Sequence, residues 1–344
     1  MIVVLGAGNG GVAISTYLEQ KGIETILWNR TEERLKAIRE NNNIIKARSV
    51  NDNAHSDVKI TEITTDLQYA LSKGKYVFIV TPGNAHKDIA RVSAPFLTKE
   101  HVVILMPGRT YGSIVFSEEI NRQRGFYPKC IEAQTILHAC RINGNILDVH
   151  GLKTKVLYSS FDKIDDGEKS YLKYIIPEFQ YDEEYFKITL NNIGALLHPI
   201  PTILNAARIE SGSNFKYYSE GLTPTVTEYI QKVDEERKSI CEAVGCQYIS
   251  LIEWLNKEYG STSDNIYNCI KEIEAYRNIN APNTLNHRYI YDDICTGLVP
   301  IYNTGKAYGI EAKTIKTFIE FASILMKYDF MKFGREFNKE MLVK

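Results

Sequence analysis

One histidine stands where chemistry could be done. His198 lies in LLHPIPTILNAARIESG (196–212), inside an apolar run and directly before Pro-Ile-Pro. Two prolines so close together stop one helix and can start the next. Imidazole titrates near neutrality, so a histidine held at such a junction suits general acid/base work. The local run fits equally well a buried histidine whose ring is satisfied by backbone. The rest of the chain has to decide between the two.

A second chemical signal opens the chain. IVVLGAGNGGVAISTYL (2–18) carries Gly6, Gly8, Asn9, Gly10 and Gly11 in a G-x-G-x-x-G arrangement. It follows a strand-like run and leads into a helix-like one, which is the context of a dinucleotide-binding turn. Gly6 permits the tight turn, Gly8 lets a pyrophosphate approach the backbone, and Gly11 allows helix to pack on strand. The diphosphate would sit at the helix N-terminus, where unpaired N–H groups and the dipole favour an anion.

The end of the second strand bears on which nucleotide is taken. An acidic residue there would bind the ribose 2′-hydroxyl of NAD. This chain has Trp28-Asn29-Arg30 instead, and Glu32 and Glu33 belong to the following helix. Arg30, helped by Arg34, would pair with a 2′-phosphate that a carboxylate would repel. NADP(H) is therefore expected in preference to NAD(H), although Asn29 could serve a hydroxyl and admit NAD(H). The run YVFIVTPGNAH (76–86) ends a buried strand in Thr81 and Pro82, and such strand ends border a ligand crevice. His86, just beyond, is placed either on the nicotinamide side or in a solvated loop. VVILMPGRTYG (102–112) repeats the plan of strand and Pro-Gly turn.

These groups need a scaffold. IVVLG (2–6), TILWN (25–29), YVFIV (76–80), VVILM (102–106) and KVLYSS (155–160) read as strands. Most are apolar throughout, as strands buried on both faces of a parallel sheet are. GGVAISTYLEQKG (10–22) and TEERLKAIRE (31–40) read as crossover helices between them. The pattern is α/β and doubly wound. Beyond about residue 185 the β-branched runs give way to helical spacing over 188–197, 201–211, 223–243, 247–258 and 310–326, with loops at 257–265 and 278–289. The expected division is a Rossmann domain over 1–185 and a mostly helical domain over 186–344. Thr225–Glu228 has the spacing of a helix start. The charge run from Asp234 to Lys238 reads as a solvated helix face.

Composition narrows the class. The 344 residues are 44% hydrophobic and 24% charged, with 41 basic against 42 acidic side chains and a formal charge of −1. Nothing in that balance points to nucleic acid or to a membrane surface. Six cysteines show no Cys-x-x-Cys spacing, and no histidine cluster has metal-ligand spacing, so reduced thiols and no metal are expected. No apolar run approaches the ~20 residues that span a bilayer. MIVVLGAG lacks a basic leader, so a cytoplasmic location is expected.

With these residues in hand, the chain resembles the opine dehydrogenases, the octopine/nopaline dehydrogenase family. The resemblance is carried by LNNIGALLHPIPTILNAARIESGSNFKYYSEGLTPTVTEYIQKVDEERKSICEAVG (190–245), by TLNHRYIYDDICTGLVPIYNTGKAYGIEAKTIKTFIEFASIL (284–325), and by GAGNGG, TPGNAH and IEAQTILHACRI (131–142). It covers nearly the whole chain. The combination H-x-x-P-T-x-L-N-A with R-Y-x-x-x-D-x-x-x-G-L-V-P is its most specific part.

The resemblance implies an N-terminal Rossmann domain and a C-terminal all-α domain of the 6-phosphogluconate-dehydrogenase-like kind, with the site in the cleft between them. It implies NAD(P)H-dependent reductive condensation of an amino acid with a 2-keto acid, often pyruvate, through an imine, and the reverse oxidation. The family's acid/base histidine corresponds to His198 and its aspartate partner to Asp293, with adjacent Asp292 the alternative. A carboxylate on one ring nitrogen fixes the tautomer and stabilises the imidazolium. Arg288 corresponds to the arginine that can hold the keto-acid carboxylate bidentately, and His287 reads as a loop neighbour. A surface ion pair is the bland alternative for Arg288 and Asp293.

Asn205 and Asn192 are candidates for the same pocket or for helix packing. Thr135, Cys140 and Arg141 fall in a segment the family uses to hold substrate, with a buried small residue the alternative for Cys140. The family includes monomers and dimers, so a homodimer is compatible. Variable loops, including 255–283, set the amino acid, and a neutral or modestly polar amine donor is expected. Two rivals stand beside this reading. A ketopantoate-type reductase would work without an amine, and a cofactor-sensing binding protein would bind NADP(H) without turnover.

Overall fold

The apolar runs of the first half become strands buried on both faces. In chain order the strands are β1 (Ile2–Leu5), β2 (Thr25–Trp28), β3 (Ile44–Ser49), β4 (His55–Lys59), β5 (Glu62–Thr64), β6 (Tyr76–Ile79), β7 (Val102–Leu105), β8 (Lys129–Ala133), β9 (His138–Asn143), β10 (Ile146–Leu152), β11 (Val156–Ser160) and β12 (Phe179–Tyr181). The structure is a computed structural model and describes residues 1–50 and 54–342. Eight strands form one sheet in the order β12-β11-β8-β7-β6-β1-β2-β5. The strands from β5 to β8 are parallel throughout, and β11 runs antiparallel to β8. Successive residues of β1 face opposite cores: Ile2 and Val4 pack with Phe78 and Ile104, while Val3 and Leu5 pack with Ile79 and Leu105. Burial on both sides is why these runs show no polar alternation.

The strand order reverses at β1. The chain leaves β1 for β2 and β5 on one side, then returns to β6 on the other. Such a switch point opens a crevice at the carboxyl ends of the two central strands, here just after Leu5 and Ile79.

Seven strands fall outside the sequence expectation: β5, β8 and β12 join the first sheet, and the other four form a second one, β4-β3-β10-β9. β3 alternates buried Ile45 and Ala47 with exposed Lys46 and Arg48, a half-buried pattern too short and too polar to stand out. Ile45, Leu147 and Cys140 of this sheet join the core around Val12 and Leu18 of the Asn9–Gln20 helix.

The chain divides into two units, Met1–Ile188 and Thr189–Lys344. The second is helical. The expected helix over 188–197 is interrupted after Leu190, and Gly194–Leu197 forms separately. Asn191 stands at the break and commits its side chain to the rest of the unit. Its Oδ1 accepts from Arg237 Nη1 at 2.6 Å and Ile249 N at 2.9 Å, and its Nδ2 donates to Gln247 O at 3.0 Å. The expected helix over 201–211 is two helices, Pro199–Leu204 and Ala206–Glu210, parted at Asn205.

The long helix Pro224–Val244 starts earlier than the Thr225–Glu228 spacing suggested. Thr223 is its N-cap and Pro224 its first residue, where a missing N–H costs nothing. Its charge run is not uniformly solvated. Asp234 and Arg237 are buried and form a 2.6 Å ion pair. Asp234 Oδ2 also accepts from Tyr248 Oη at 2.9 Å and Leu251 N at 2.8 Å, and Arg237 Nη2 donates to Ile249 O at 2.6 Å. Glu236 accepts from Thr314 N and Ile315 N at the start of the Lys313–Met326 helix. Periodicity could not reveal this, because the partners come from segments distant in sequence. No helix among the described residues is long and apolar enough to cross a membrane.

Candidate active site

The glycine loop lies against the carboxyl end of β6. Gly6 adopts φ +114°, and a Cβ there would stand 2.6 Å from Val80 O. A Cβ on Gly11 would stand 1.7 Å from Gly6 O, and one on Gly10 would stand 2.9 Å from Val80 Cγ1. Those three glycines are required by the protein's own packing. Gly8 differs, because nothing lies within 4 Å of its Cβ position. The space beside Gly8 is the cradle a pyrophosphate needs. Gly8 is the N-cap of the Asn9–Gln20 helix, whose first turn carries no side-chain cap and no acid. Thr81 Oγ1, at the end of β6, is buried without a hydrogen-bond partner among the described residues. Together these features fit a dinucleotide.

The other expected nucleotide residues divide. The two asparagines brace the loop. Asn29 Oδ1 accepts from Ala7 N at 3.2 Å, and its Nδ2 donates to Thr31 O at 2.9 Å. Asn9 Oδ1 accepts from Ile142 N at 3.0 Å, and Cys140 Sγ donates to Asn9 O at 3.4 Å. Arg30 and Arg34 are exposed and make no ion pair among the described residues, whereas Glu32 is taken by Arg39 at 2.8 Å. Pro82 is exposed. His86 is fully buried as the first residue of the His86–Ser93 helix, neither at a ligand surface nor in solvent. Thr135 is half-buried between β8 and β9. Burial pushes the Cys140 thiol up to about 11, which leaves it protonated and a poor nucleophile.

In the second unit His198 is the hinge residue between the Gly194–Leu197 and Pro199–Leu204 helices. Its carbonyl accepts from Thr202 Oγ1 at 2.7 Å and from Tyr217 Oη at 2.6 Å, so the backbone is pinned from two sides. Its Nδ1 faces Asp293 Oδ2 at 2.8 Å. A carboxylate accepts, so the Nδ1 proton points at Asp293 and Nε2 is left to exchange protons with a ligand. Asp293 is fully buried, while 16% of the His198 side chain is exposed, enough for a ligand to reach the ring. The ring stacks on Tyr289, with centroids 4.1 Å apart and planes 10° from parallel.

Asp293 closes the Arg288–Asp293 helix and is followed by a π-turn, Ile294–Leu298. Gly297 in that turn lies so close to Ala195 that a Cβ would meet the Ala195 Cβ at 2.6 Å. Asn192 Nδ2 donates to Thr296 O at 3.5 Å across the same contact. A glycine and an alanine thus let the two segments approach until His198 and Asp293 meet. Asp292, the alternative partner, is also buried but is not the residue bonded to His198.

Arg288 is exposed and makes no ion pair among the described residues; its Cζ lies 5.4 Å from the centroid of the Tyr289 ring. His287 is not a plain loop neighbour. It is the N-cap of the Arg288–Asp293 helix, and its Nδ1 accepts from Tyr289 N at 3.3 Å. Burial first, then the cationic Arg288, hold His287 below the usual imidazole range. Asn205 is buried, and its Nδ2 donates to Pro201 O at 2.9 Å and Gly221 O at 3.0 Å, which commits the amide to packing. Tyr289, Tyr217 and Thr202 were not singled out by sequence. Tyr289 stands inside the R-Y-x-x-x-D spacing, which was the available signal; Tyr217 in a tyrosine-rich run had none.

The geometry joins an acid/base imidazole to a buried carboxylate, with a cationic fork nearby for an anionic substrate. Residues 181–326 match the NAD/NADP octopine/nopaline dehydrogenase alpha-helical domain, and residues 1–123 match the N-terminus of NAD-dependent glycerol-3-phosphate dehydrogenase. The chain is 34% identical to the opine dehydrogenase of Arthrobacter sp. (strain 1C), over 98% of this chain and 93% of that protein. Octopine dehydrogenase in complex with NADH and L-arginine shares the fold at a TM-score of 0.80 and 17% identity, over 95% of this chain and 89% of that one. NADP+-bound yersinopine dehydrogenase shares it at 0.79 and 14%, over 100% of this chain and 94% of that one. The chain therefore belongs to the octopine/nopaline dehydrogenase family, the opine dehydrogenases, NAD(P)-dependent oxidoreductases that act on the CH–NH group of their donors.

Proposed function

We propose that the chain condenses an amino acid with a 2-keto acid, pyruvate for preference, and reduces the imine with NADPH. The amine adds to the keto carbon and water leaves, giving the imine; reduction of its carbon and protonation of its nitrogen give the secondary amine. Arg288 holds the keto-acid carboxylate, since its fork is exposed and makes no ion pair among the described residues. His198 donates the proton through Nε2 and recovers it in the reverse direction. Asp293 orients the ring and stabilises the imidazolium. Bound NADPH supplies the hydride that reduces the imine carbon. Gly8 and the N-terminus of the Asn9–Gln20 helix would hold its pyrophosphate, and Arg30 with Arg34 its 2′-phosphate. Thr81 and Thr135 would line the nucleotide and substrate sides. A cytoplasmic setting, where NADPH and 2-keto acids are supplied, suits this chemistry.

The observation that carries the reading is the 2.8 Å contact between His198 Nδ1 and Asp293 Oδ2, with an exposed arginine, in no ion pair among the described residues, five residues before the aspartate. The structures of octopine dehydrogenase, which hold NADH with L-arginine, agmatine or pyruvate, support substrates of this class. The test is NADPH oxidation with pyruvate, with and without a pool of the standard amino acids. Oxidation that requires both partners is expected. Oxidation by the keto acid alone would replace the reading with that of a simple keto-acid reductase. Tight NADPH binding with no turnover on a panel of 2-keto acids would replace it with a sensor.

A further inference from the structure

His198 is gripped from two directions by one helix. Asp293 takes its Nδ1 edge, and Tyr289, four residues earlier, covers its face at 4.1 Å. Positions i and i+4 share a helix face, so a single turn supplies both contacts. The same phenol ring receives three further neighbours. Arg288 Cζ lies 5.4 Å from its centroid, His287 meets it edge-on at 4.5 Å and 86°, and Tyr217 leans against it at 5.2 Å. Tyr217 is the residue whose hydroxyl holds the His198 carbonyl.

We infer that Tyr289 is a positioning residue whose planar face registers the His198 imidazole against the Arg288 guanidinium, so that proton donor and carboxylate anchor act on one substrate. The inference rests on the roles proposed above for those two side chains. A hydrogen bond at Nδ1 alone leaves an imidazole free to rock about the Nδ1–Oδ2 line. A parallel ring 4.1 Å away removes that freedom. Among the described residues no carboxylate forms an ion pair with Arg288, and an exposed arginine samples many rotamers. An aromatic face gives its guanidinium a resting place while leaving the N–H edge available for a substrate carboxylate. Neither contact uses the phenolic oxygen, so phenylalanine should serve and an aliphatic side chain should not.

The test uses the full-length chain. The kcat, the keto-acid KM, the NADPH Kd and the melting temperature are measured for wild type, Tyr289→Phe and Tyr289→Leu. The phenylalanine variant is expected to keep kcat within about threefold, and the leucine variant to lose about 30- to 100-fold, as a misplaced reacting group does. The leucine variant should also raise the keto-acid KM while leaving the NADPH Kd alone. Should it fail to fold, Tyr289→Met, whose flexible unbranched chain can fill the gap without a planar face, is assayed in its place. An aliphatic variant with wild-type kcat and keto-acid KM would overturn the inference, and so would a phenylalanine variant as impaired as the leucine one. Wild type is assayed first. If it does not couple pyruvate to an amino acid, the proposed reaction fails, and the roles on which Tyr289 depends fail with it. An active wild type with an insensitive position 289 removes the inference alone.

Discussion

Asp293 Oδ2 stands 2.8 Å from His198 Nδ1, across 95 residues of chain. Two local irregularities bring them together. One is the helix junction made by the Pro199 ring, which leaves His198 between two short helices. The other is the π-turn after Asp293, where Gly297 lets the backbone approach Ala195 to a distance no other side chain permits. π-turns inside helices often mark functional positions, and here one begins directly after the aspartate.

Nucleotide preference follows from two exposed arginines. Arg30 and Arg34 make no ion pair among the described residues, and Glu32 is held by Arg39. Replacing Arg30 with alanine is expected to lower kcat/KM with NADPH by about 10- to 100-fold, the worth of a charge-assisted hydrogen bond, with little change for NADH. Steady-state kinetics with each cofactor measure this, and equal losses for both would deny Arg30 a role at the 2′-phosphate.

The glycines of the loop make separable predictions. Gly11→Ala would force a Cβ to 1.7 Å from Gly6 O, so it should cripple folding. Gly8→Ala meets no protein atom within 4 Å, so the melting temperature should hold while the nucleotide Kd rises at least about tenfold. Thermal melts with and without NADPH distinguish the two. Unchanged affinity in Gly8→Ala would place the pyrophosphate elsewhere.

The buried Asp234–Arg237 pair should behave as a structural clasp. Arg237→Ala leaves Asp234 charged inside the helical unit, and a cost of about 3–5 kcal/mol in unfolding free energy is expected. Glu235→Ala on the exposed neighbour should stay within about 0.5 kcal/mol. Denaturant titration of both variants tests the contrast, and comparable losses would mean that the pair is not what anchors this helix.

Sequence made some of this legible and hid the rest for physical reasons. β1, β6 and β7 were visible because both faces are buried and every position is apolar. The second sheet was not, since its strands are half-exposed and alternate in polarity over few residues. The glycine loop was readable from spacing, because each glycine answers a local backbone demand. His198 and Asp293 were readable only through resemblance, since neither carries a local mark of its partner. The burial of Asp234 and Arg237 inside a charge run was illegible, because their partners Asn191, Tyr248 and Ile249 arrive from elsewhere in the chain. His86, which the sequence left either on the nicotinamide side or in a solvated loop, is instead covered by tertiary packing that its Pro-Gly turn does not announce.

The most direct test is the kcat of His198→Ala, measured beside Asp293→Asn, with pyruvate, an accepted amino acid and saturating NADPH. General acid/base catalysis is worth about 10²- to 10⁴-fold, and a loss in that range is expected for His198→Ala with the NADPH Kd unchanged. Asp293→Asn should also lose kcat, because the amide no longer fixes the ring's tautomer. A His198→Ala enzyme that binds NADPH and turns over near the wild-type rate would contradict the account.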